Sequence, residues 1–118
     1  MKNYKELEVW QKGMDLAVQV YQMTATFPPE EKFGLVSQIR RAVTSIPANI
    51  AEGWGRGSTK EYVQFLRIAR ASLMEFETHL ILAARLTYIQ GDRLSTLLQE
   101  VETLGKRINS LIQSLLRK

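Results

Sequence analysis

SQIRRAVTSIPANIAEGWGRGSTKEY, residues 37–62, starts as a helix with two adjacent arginines. It places a proline where a helix interior should be, then runs into Gly-Trp-Gly-Arg-Gly before resuming. It could be a phosphate-gripping loop, a catalytic loop, or a helix that turns into another helix. The apolar period decides. Val36, Ile39, Val43, Ile46 and Ile50 recur at spacings of three and four and carry straight across Pro47. An interior proline removes one backbone donor and crowds the carbonyl of Val43, at a cost of about 3 kcal/mol. Because the period survives, the stretch reads as one continuous helix kinked at Pro47. Thr44 and Ser45 are close enough to bond the carbonyls that a kink frees. Leu35, Ala42 and Asn49 flank the stripe on one side, Arg40, Pro47 and Trp54 on the other, and Arg41 points away from the core. Asn49, at the apolar margin, reads as a structural amide in need of partners. Glu52 sits at the wrong end of the helix dipole for an acid, so a basic partner is expected from Arg40, Arg56 or a neighbouring subunit.

The glycine run reads as punctuation. A phosphate loop requires a strand before it and Lys-Ser/Thr directly after its last glycine. Here a helix precedes, and Gly57 is followed by Ser58-Thr59-Lys60. Glycines at a helix end let the chain reverse, and Ser58 with Glu61 three residues on forms a capping box that opens the next helix. Trp54 is expected to plug the end of the bundle.

Working outward, Lys5 to Ala25 carries two apolar stripes: Leu7, Trp10, Met14, Ala17, Tyr21 and Thr24, and beside them Val9, Leu16, Val20, Met23 and Phe27. Pro28-Pro29 ends this segment, and the second helix is expected from Glu31 to Trp54. From Ser58 to about Ile89, the residues Tyr62, Leu66, Ala69, Leu73, Phe76, Leu80 and Ala83 keep a strict heptad, with Met74, Ile81 and Tyr88 on a secondary line. Gly91 is expected to stop that helix and Asp92 to cap the next. Arg93 to Leu116 holds the cleanest heptad, from Leu94 through Leu97, Val101, Leu104, Ile108 and Leu111 to Leu115. Four amphipathic helices with short links predict an all-α, up-down-up-down antiparallel four-helix bundle with a proline-kinked second helix, one domain over residues 1–118.

Bulk properties bound the function. Hydrophobic residues make up 45% of 118, enough for a core. The absence of cysteine excludes disulfides, thiolate metal sites and cysteine nucleophiles. The single histidine, His79, lies four residues from Glu75, and no second Glu-x-x-His accompanies it, so di-metal bundle chemistry lacks ligands. No serine-centred triad is marked around it, and no cofactor is expected. No apolar run approaches the ~20 residues that span a bilayer, and the N-terminus lacks a signal-peptide core; a cytoplasmic protein without membrane contact is expected. The net charge of +4 and pI near 9.6 favour an anionic partner.

The stretch SQIRRAVTSIPANIAEGWGR, preceded by LEVWQKGMDLAVQVYQMTATFP, resembles the small bacterial four-helix bundle proteins first noticed in intervening sequences of large-subunit ribosomal RNA genes and often labelled a ribosomal protein. The accessory variability determinant of diversity-generating retroelements is similar. The resemblance spans nearly the whole chain and is most specific over Leu7–Pro28 and Leu35–Tyr62. It implies a ring-shaped homopentamer with a basic surface and no enzyme activity. For some members it implies nucleic-acid binding, and for the retroelement branch partnership with a reverse transcriptase. The family motif falls on Arg40, Arg41, Ser45, Ile46, Pro47, Asn49, Ile50, Glu52 and Gly53.

Two functions follow as expectations. The first is a homo-oligomer that binds RNA or DNA by neutralising phosphates, with Arg40, Arg41, Arg56, Lys60, Arg67, Arg70, Arg85, Lys106 and Arg107 as candidate contacts. Against this, Arg70 with Glu77, two turns on, and Lys106 with Glu102, four residues back, are candidate pairs within the chain. The second is a protein-interaction adaptor, such as a reverse-transcriptase accessory subunit. Apolar stripes on more than one face of the first and third helices independently favour self-association, because a lone bundle would expose Met74, Ile81 and Tyr88 or part of the first helix's second stripe. Five copies would carry roughly +20 on one particle.

Overall fold

The computed structural model describes residues 2–118. Four helices follow in order: α1 (Glu8–Thr24), α2 (Leu35–Gly55), α3 (Thr59–Arg85) and α4 (Gly91–Leu116), with short 3-10 turns at Tyr4–Glu6 and Pro29–Glu31. Cross-helix contacts establish the antiparallel order. Gly13 faces Pro47 and Thr24 meets Arg40 across α1 and α2. Ser45 meets Ser72 and Gly53 faces Tyr62 and Phe65 across α2 and α3. Arg70 meets Asn109 and Gly105 faces Leu73 across α3 and α4. Gln19 reaches Glu100 and Glu8 reaches Arg107 between α1 and α4. In every pair, rising numbers on one helix meet falling numbers on the other. α2 and α3 pack most extensively, and α1 and α4 least. The bundle measures 46 × 24 × 20 Å.

The heptads are the core. Leu66, Ala69, Phe76, Leu80 and Ala83 of α3 are fully buried, as are Leu97 and Ile108 of α4 and Ile39, Val43, Ile46 and Ile50 of α2. Fully burying each large aliphatic or aromatic side chain contributes roughly 1.5–3 kcal/mol. α2 runs unbroken through Pro47. Thr44 bonds back to the carbonyls of Arg40 at 2.8 Å and Arg41 at 3.2 Å, in the turn before the Val43 carbonyl that the proline leaves short of a donor.

Several boundaries differ from those expected. α2 starts at Leu35, because Pro29–Glu31 forms a separate 3-10 turn and Gly34 breaks the path. Glu31 serves the helix from outside: its Oε1 accepts from the Leu35 N–H at 3.1 Å, and its Oε2 accepts from the Tyr88 hydroxyl at 3.0 Å. α3 ends at Arg85, before Ile89. The stop is Thr87, at φ 67°, flanked by the Thr87 N–H to Ala84 carbonyl bond (2.9 Å) and the Tyr88 N–H to Ala83 carbonyl bond (3.0 Å). That pattern is a Schellman cap with threonine in the left-handed position usually held by glycine. Gly91 is accordingly the first residue of α4 and stops nothing. Asp92 lies inside the first turn, and Gln90 occupies the cap position without a side-chain bond.

The glycine run is likewise more helical than its composition implied. α2 continues through Gly53, Trp54 and Gly55, and only Gly57 has a positive φ, 85°. The capping role of Ser58 holds, with the Glu61 N–H donating to its Oγ at 3.2 Å. Trp54 is half-buried against the core and meets Tyr62 edge-on, 6.1 Å between ring centres.

Candidate interaction surfaces

The motif residues can be sorted by what each side chain touches. Ile46 and Ile50 are core. Pro47 packs on Gly13, where any Cβ would sit 3.4 Å from the proline ring. Arg40 donates to Thr24 Oγ1 at 2.9 Å and to the Tyr21 carbonyl at 3.2 Å, with its guanidinium 4.4 Å from the Tyr21 ring centre. It clamps α1 to α2. Asn49 donates to the Ser45 carbonyl (2.8 Å) and hydroxyl (2.9 Å), and Ser45 shares a 2.9 Å bond with Ser72, so a polar chain links α2 to α3. Glu52 takes Arg56 as its basic partner at 3.0 Å, one of the three expected. At Gly53 a Cβ would lie 2.7 Å from Phe65 Cβ and 3.2 Å from the Tyr62 carbonyl, so only glycine fits there without parting the helices. Arg41 alone among the motif residues is exposed and makes no side-chain hydrogen bond or ion pair among the described residues.

The nine basic candidates therefore divide. Arg40 is structural. Arg56 pairs with Glu52, lies 4.0 Å from Glu61 and covers the Phe65 ring at 4.8 Å. Arg70 turns away from Glu77 to donate to Asn109 at 2.5 Å. Lys106 pairs with Glu102 at 3.0 Å as its spacing allows, and Arg107 crosses to Glu8. Arg41, Lys60, Arg67 and Arg85 remain exposed with no ion pair among the described residues. Arg67 and Arg70 are thus separated, one facing solvent and one facing α4. Lys60, Arg67 and Arg85 lie on a single solvent-facing line of α3: Lys60, Gln64, Arg67, Ala71, Met74, Thr78, Ile81 and Arg85, all exposed, at alternating spacings of four and three.

The second stripe of helix one, expected to show in part, is the one that is buried. Val9, Leu16, Val20 and Met23 are core, together with Gly13, Ala17 and Thr24, whereas Met14 and Tyr21 are exposed. Spacing identifies residues that share a face but not which face is inward. The outward stripe of α1 and the back of α2 enclose a groove of about 520 Å³, lined by Tyr4, Trp10, Met14, Ala17, Val18, Tyr21 and Gln22 opposite Thr44, Pro47, Ala48 and Ala51. No charged side chain lines it. Met74 and Ile81 are exposed as anticipated, but Tyr88 is half-buried against Phe27, 5.4 Å between rings.

Smaller features complete the surface. A polar cleft of about 290 Å³ between α1 and α4 is lined by Lys12, Asp15, Thr96, Gln99, Glu100 and Thr103, over Leu16 and Leu104. Gln19 donates to one oxygen of Glu100 at 2.9 Å, and the other oxygen is buried without a partner. The Tyr62 hydroxyl is also buried and unpartnered, and burial pushes its pKa up. The hydrogen bond to Glu31 raises the Tyr88 pKa, helped by desolvation and the negative charges of Glu31 and Glu30. His79 Nε2 lies 3.6 Å from Glu75. Among the described residues no group of three or more His, Cys, Asp or Glu side chains gathers to hold a metal, and no helix is long and apolar enough to cross a membrane.

Sequence spacing alone does not identify Gly13 and Ser72 as contact residues. A glycine inside a helical apolar pattern was the available signal for the first; nothing in the spacing marks Ser72 as the partner of Ser45.

The 23S rRNA-intervening sequence protein family matches residues 5–110, and the chain belongs to that family. A crystal structure of a protein of unknown function from the S23 ribosomal protein family of Bacteroides thetaiotaomicron VPI-5482 superposes with a TM-score of 0.81 at 27% identity, over 89% of this chain and 95% of that one. No curated protein matches.

Proposed function

We propose that this chain acts, without enzymatic activity, as a homo-oligomeric nucleic-acid-binding protein of the cytoplasm. The family resemblance favours five subunits. The observation that carries the reading is that four of the nine candidate cations, Arg41, Lys60, Arg67 and Arg85, are exposed and make no ion pair among the described residues. Phosphate neutralisation needs positive charge that is exposed and not already committed within the chain. Exposed ion pairs are worth only about 0–1 kcal/mol, but they cancel local field. The paired Arg56, Lys106 and Arg107 are therefore the weaker candidates, and Arg40 is withdrawn by its structural bonds. One copy offers few contacts, and assembly multiplies them. The uncharged α1/α2 groove supports assembly, since apolar surface of that kind marks partner contacts.

The test is fluorescence anisotropy of the native oligomer with duplex DNA and structured RNA at several salt concentrations. If one copy supplies about four phosphate contacts, log K should fall with log salt at a slope of roughly −3.6 on duplex DNA, and more steeply when neighbouring copies engage. The R41E/R67E double variant should lose most of the affinity, while K106E should lose little. No binding at low salt would overturn the proposal and transfer the role to protein contacts.

A further inference from the structure

We propose that the polar cleft between α1 and α4 binds a small organic ammonium ion. The cleft lies at the least extensive helix–helix contact in the bundle. Its walls are Lys12 and Asp15 on α1 and Thr96, Gln99, Glu100 and Thr103 on α4. Leu16 and Leu104, each 2% exposed, form the floor. On both helices these residues recur at spacings of three and four, which places them on facing stripes. A bundle ordinarily fills such a seam with apolar side chains. Here the seam is polar and encloses about 290 Å³, at the small end of ligand-sized pockets.

The fold itself uses little of this polar chemistry. Lys12, Asp15 and Glu100 make no ion pair among the described residues. Glu100 accepts from the Gln19 amide at 2.9 Å, and its other oxygen is buried without a partner. An ionised carboxylate has room for about four donors. One left short of them in a buried place carries a cost that a bound donor removes. Thr96 donates its hydroxyl proton to the Asp92 carbonyl at 3.1 Å, so towards the cleft its oxygen can only accept.

Charge then selects the ligand. Two carboxylates and one ammonium leave the walls at −1, on a chain whose net charge is +4. That sign turns away phosphate and attracts a cation. A divalent metal fits poorly. Among the described residues no group of three or more His, Cys, Asp or Glu side chains gathers there, and Lys12 repels a second positive charge. An organic ammonium carries one charge, neutralises the walls and brings several donors to Glu100, Asp15 and the threonine oxygens. The site is separate from the proposed nucleic-acid contacts, since none of Arg41, Lys60, Arg67 and Arg85 lines it.

Isothermal titration calorimetry of the native protein, with ethanolamine hydrochloride as the probe, tests the proposal. Saturable binding at millimolar concentration or below is expected, with sodium chloride at equal ionic strength giving none. Glu100→Gln and Asp15→Asn keep the shape of the walls and should each weaken binding by about tenfold or more. Lys12→Gln removes the one like charge and should tighten it. Glu102→Gln changes the net charge equally but lies outside the cleft, and should leave affinity unchanged. Because Lys12→Gln and Glu100→Gln move affinity in opposite directions, loss of the fold cannot imitate the pattern. Saturable magnesium binding that Glu100→Gln abolishes would make the cleft a metal site and overturn the assignment. So would ethanolamine binding that Glu100→Gln leaves unchanged, or no saturable heat from ethanolamine up to about 0.1 M. None of these outcomes bears on the nucleic-acid reading.

Discussion

Gly53→Ala and Gly55→Ala should shift stability in opposite directions, although they lie two residues apart on one helix. Both replace glycine with a better helix former, a gain of up to about 1 kcal/mol in a helix interior and less near the end, where Gly55 sits. Around Gly55 a new Cβ meets nothing within 4 Å. At Gly53 it would lie 2.7 Å from Phe65 Cβ and 3.2 Å from the Tyr62 carbonyl. Neither neighbour is the end of a flexible side chain, so α2 and α3 must move apart along the most extensive contact in the bundle. Overpacking of this kind costs typically 1–3 kcal/mol, and an immovable backbone contact belongs at the upper end. Subtracting the helix gain leaves G53A less stable by about 1–2 kcal/mol, whereas G55A should be more stable by a few tenths. For a chain of this length, 1–2 kcal/mol corresponds to roughly 4–8 °C in Tm. Urea unfolding at fixed protein concentration reads the difference, because association adds a concentration-dependent term. The midpoint should fall for G53A with m unchanged. A G53A protein as stable as G55A would refute the claim that Gly53 is required by helix approach.

Thr87→Gly should stabilise the chain by about 1 kcal/mol, because a β-branched residue is held at φ 67° where glycine carries no such strain; thermal melts check it, and a loss of stability would remove the strain argument. Arg40→Ala should cost about 1.5–3 kcal/mol through the lost charged hydrogen bonds to Thr24 and Tyr21, while Arg41→Ala should stay within about 0.5 kcal/mol; paired denaturation curves of these two adjacent variants test the assignment. The fold raises the Tyr88 pKa above 10.0, so the folded state holds that proton more tightly than the unfolded chain. Its stabilisation is therefore complete below about pH 10 and is lost as pH climbs through the raised value. The urea midpoint should fall between pH 8 and strongly alkaline pH, and fall less in Y88F; an equal fall in both proteins would remove Tyr88 from the account.

How far the structure could be read from sequence depended on the kind of information each residue carries. The heptads of α3 and α4 specify one buried face each, and those faces are the core. On α1 two apolar stripes compete, and the larger side chains of the more aromatic one, Trp10, Met14 and Tyr21, line the groove against α2, while its Leu7, Ala17 and Thr24 are buried. Helix ends were misplaced where the backbone departed from its usual residue. Thr87 adopts the left-handed conformation that Gly91 was expected to supply, and Glu31 supports α2 from a separate turn. The partner of a charged residue is a three-dimensional property. Arg40 and Arg41 are neighbours in sequence, yet a turn of about 100° per residue sends one into the α1 contact and the other into solvent.

That division changes where a function should be sought. The most recognisable stretch of this chain is chiefly a set of assembly instructions for the bundle. Arg40 binds α1, the Asn49–Ser45–Ser72 chain binds α3, Pro47 rests on Gly13, and Gly53 admits α3. These residues make poor probes of binding, because their loss alters the scaffold before it alters any contact. What the scaffold leaves over is more informative: Arg41, the cations of the outer α3 line, and the uncharged groove behind Pro47. The proline links the two sets, since the ring that packs on Gly13 also forms part of the groove wall. Substitution at Pro47 would therefore disturb fold and groove together, whereas Val18 and Met74 reach the surface alone.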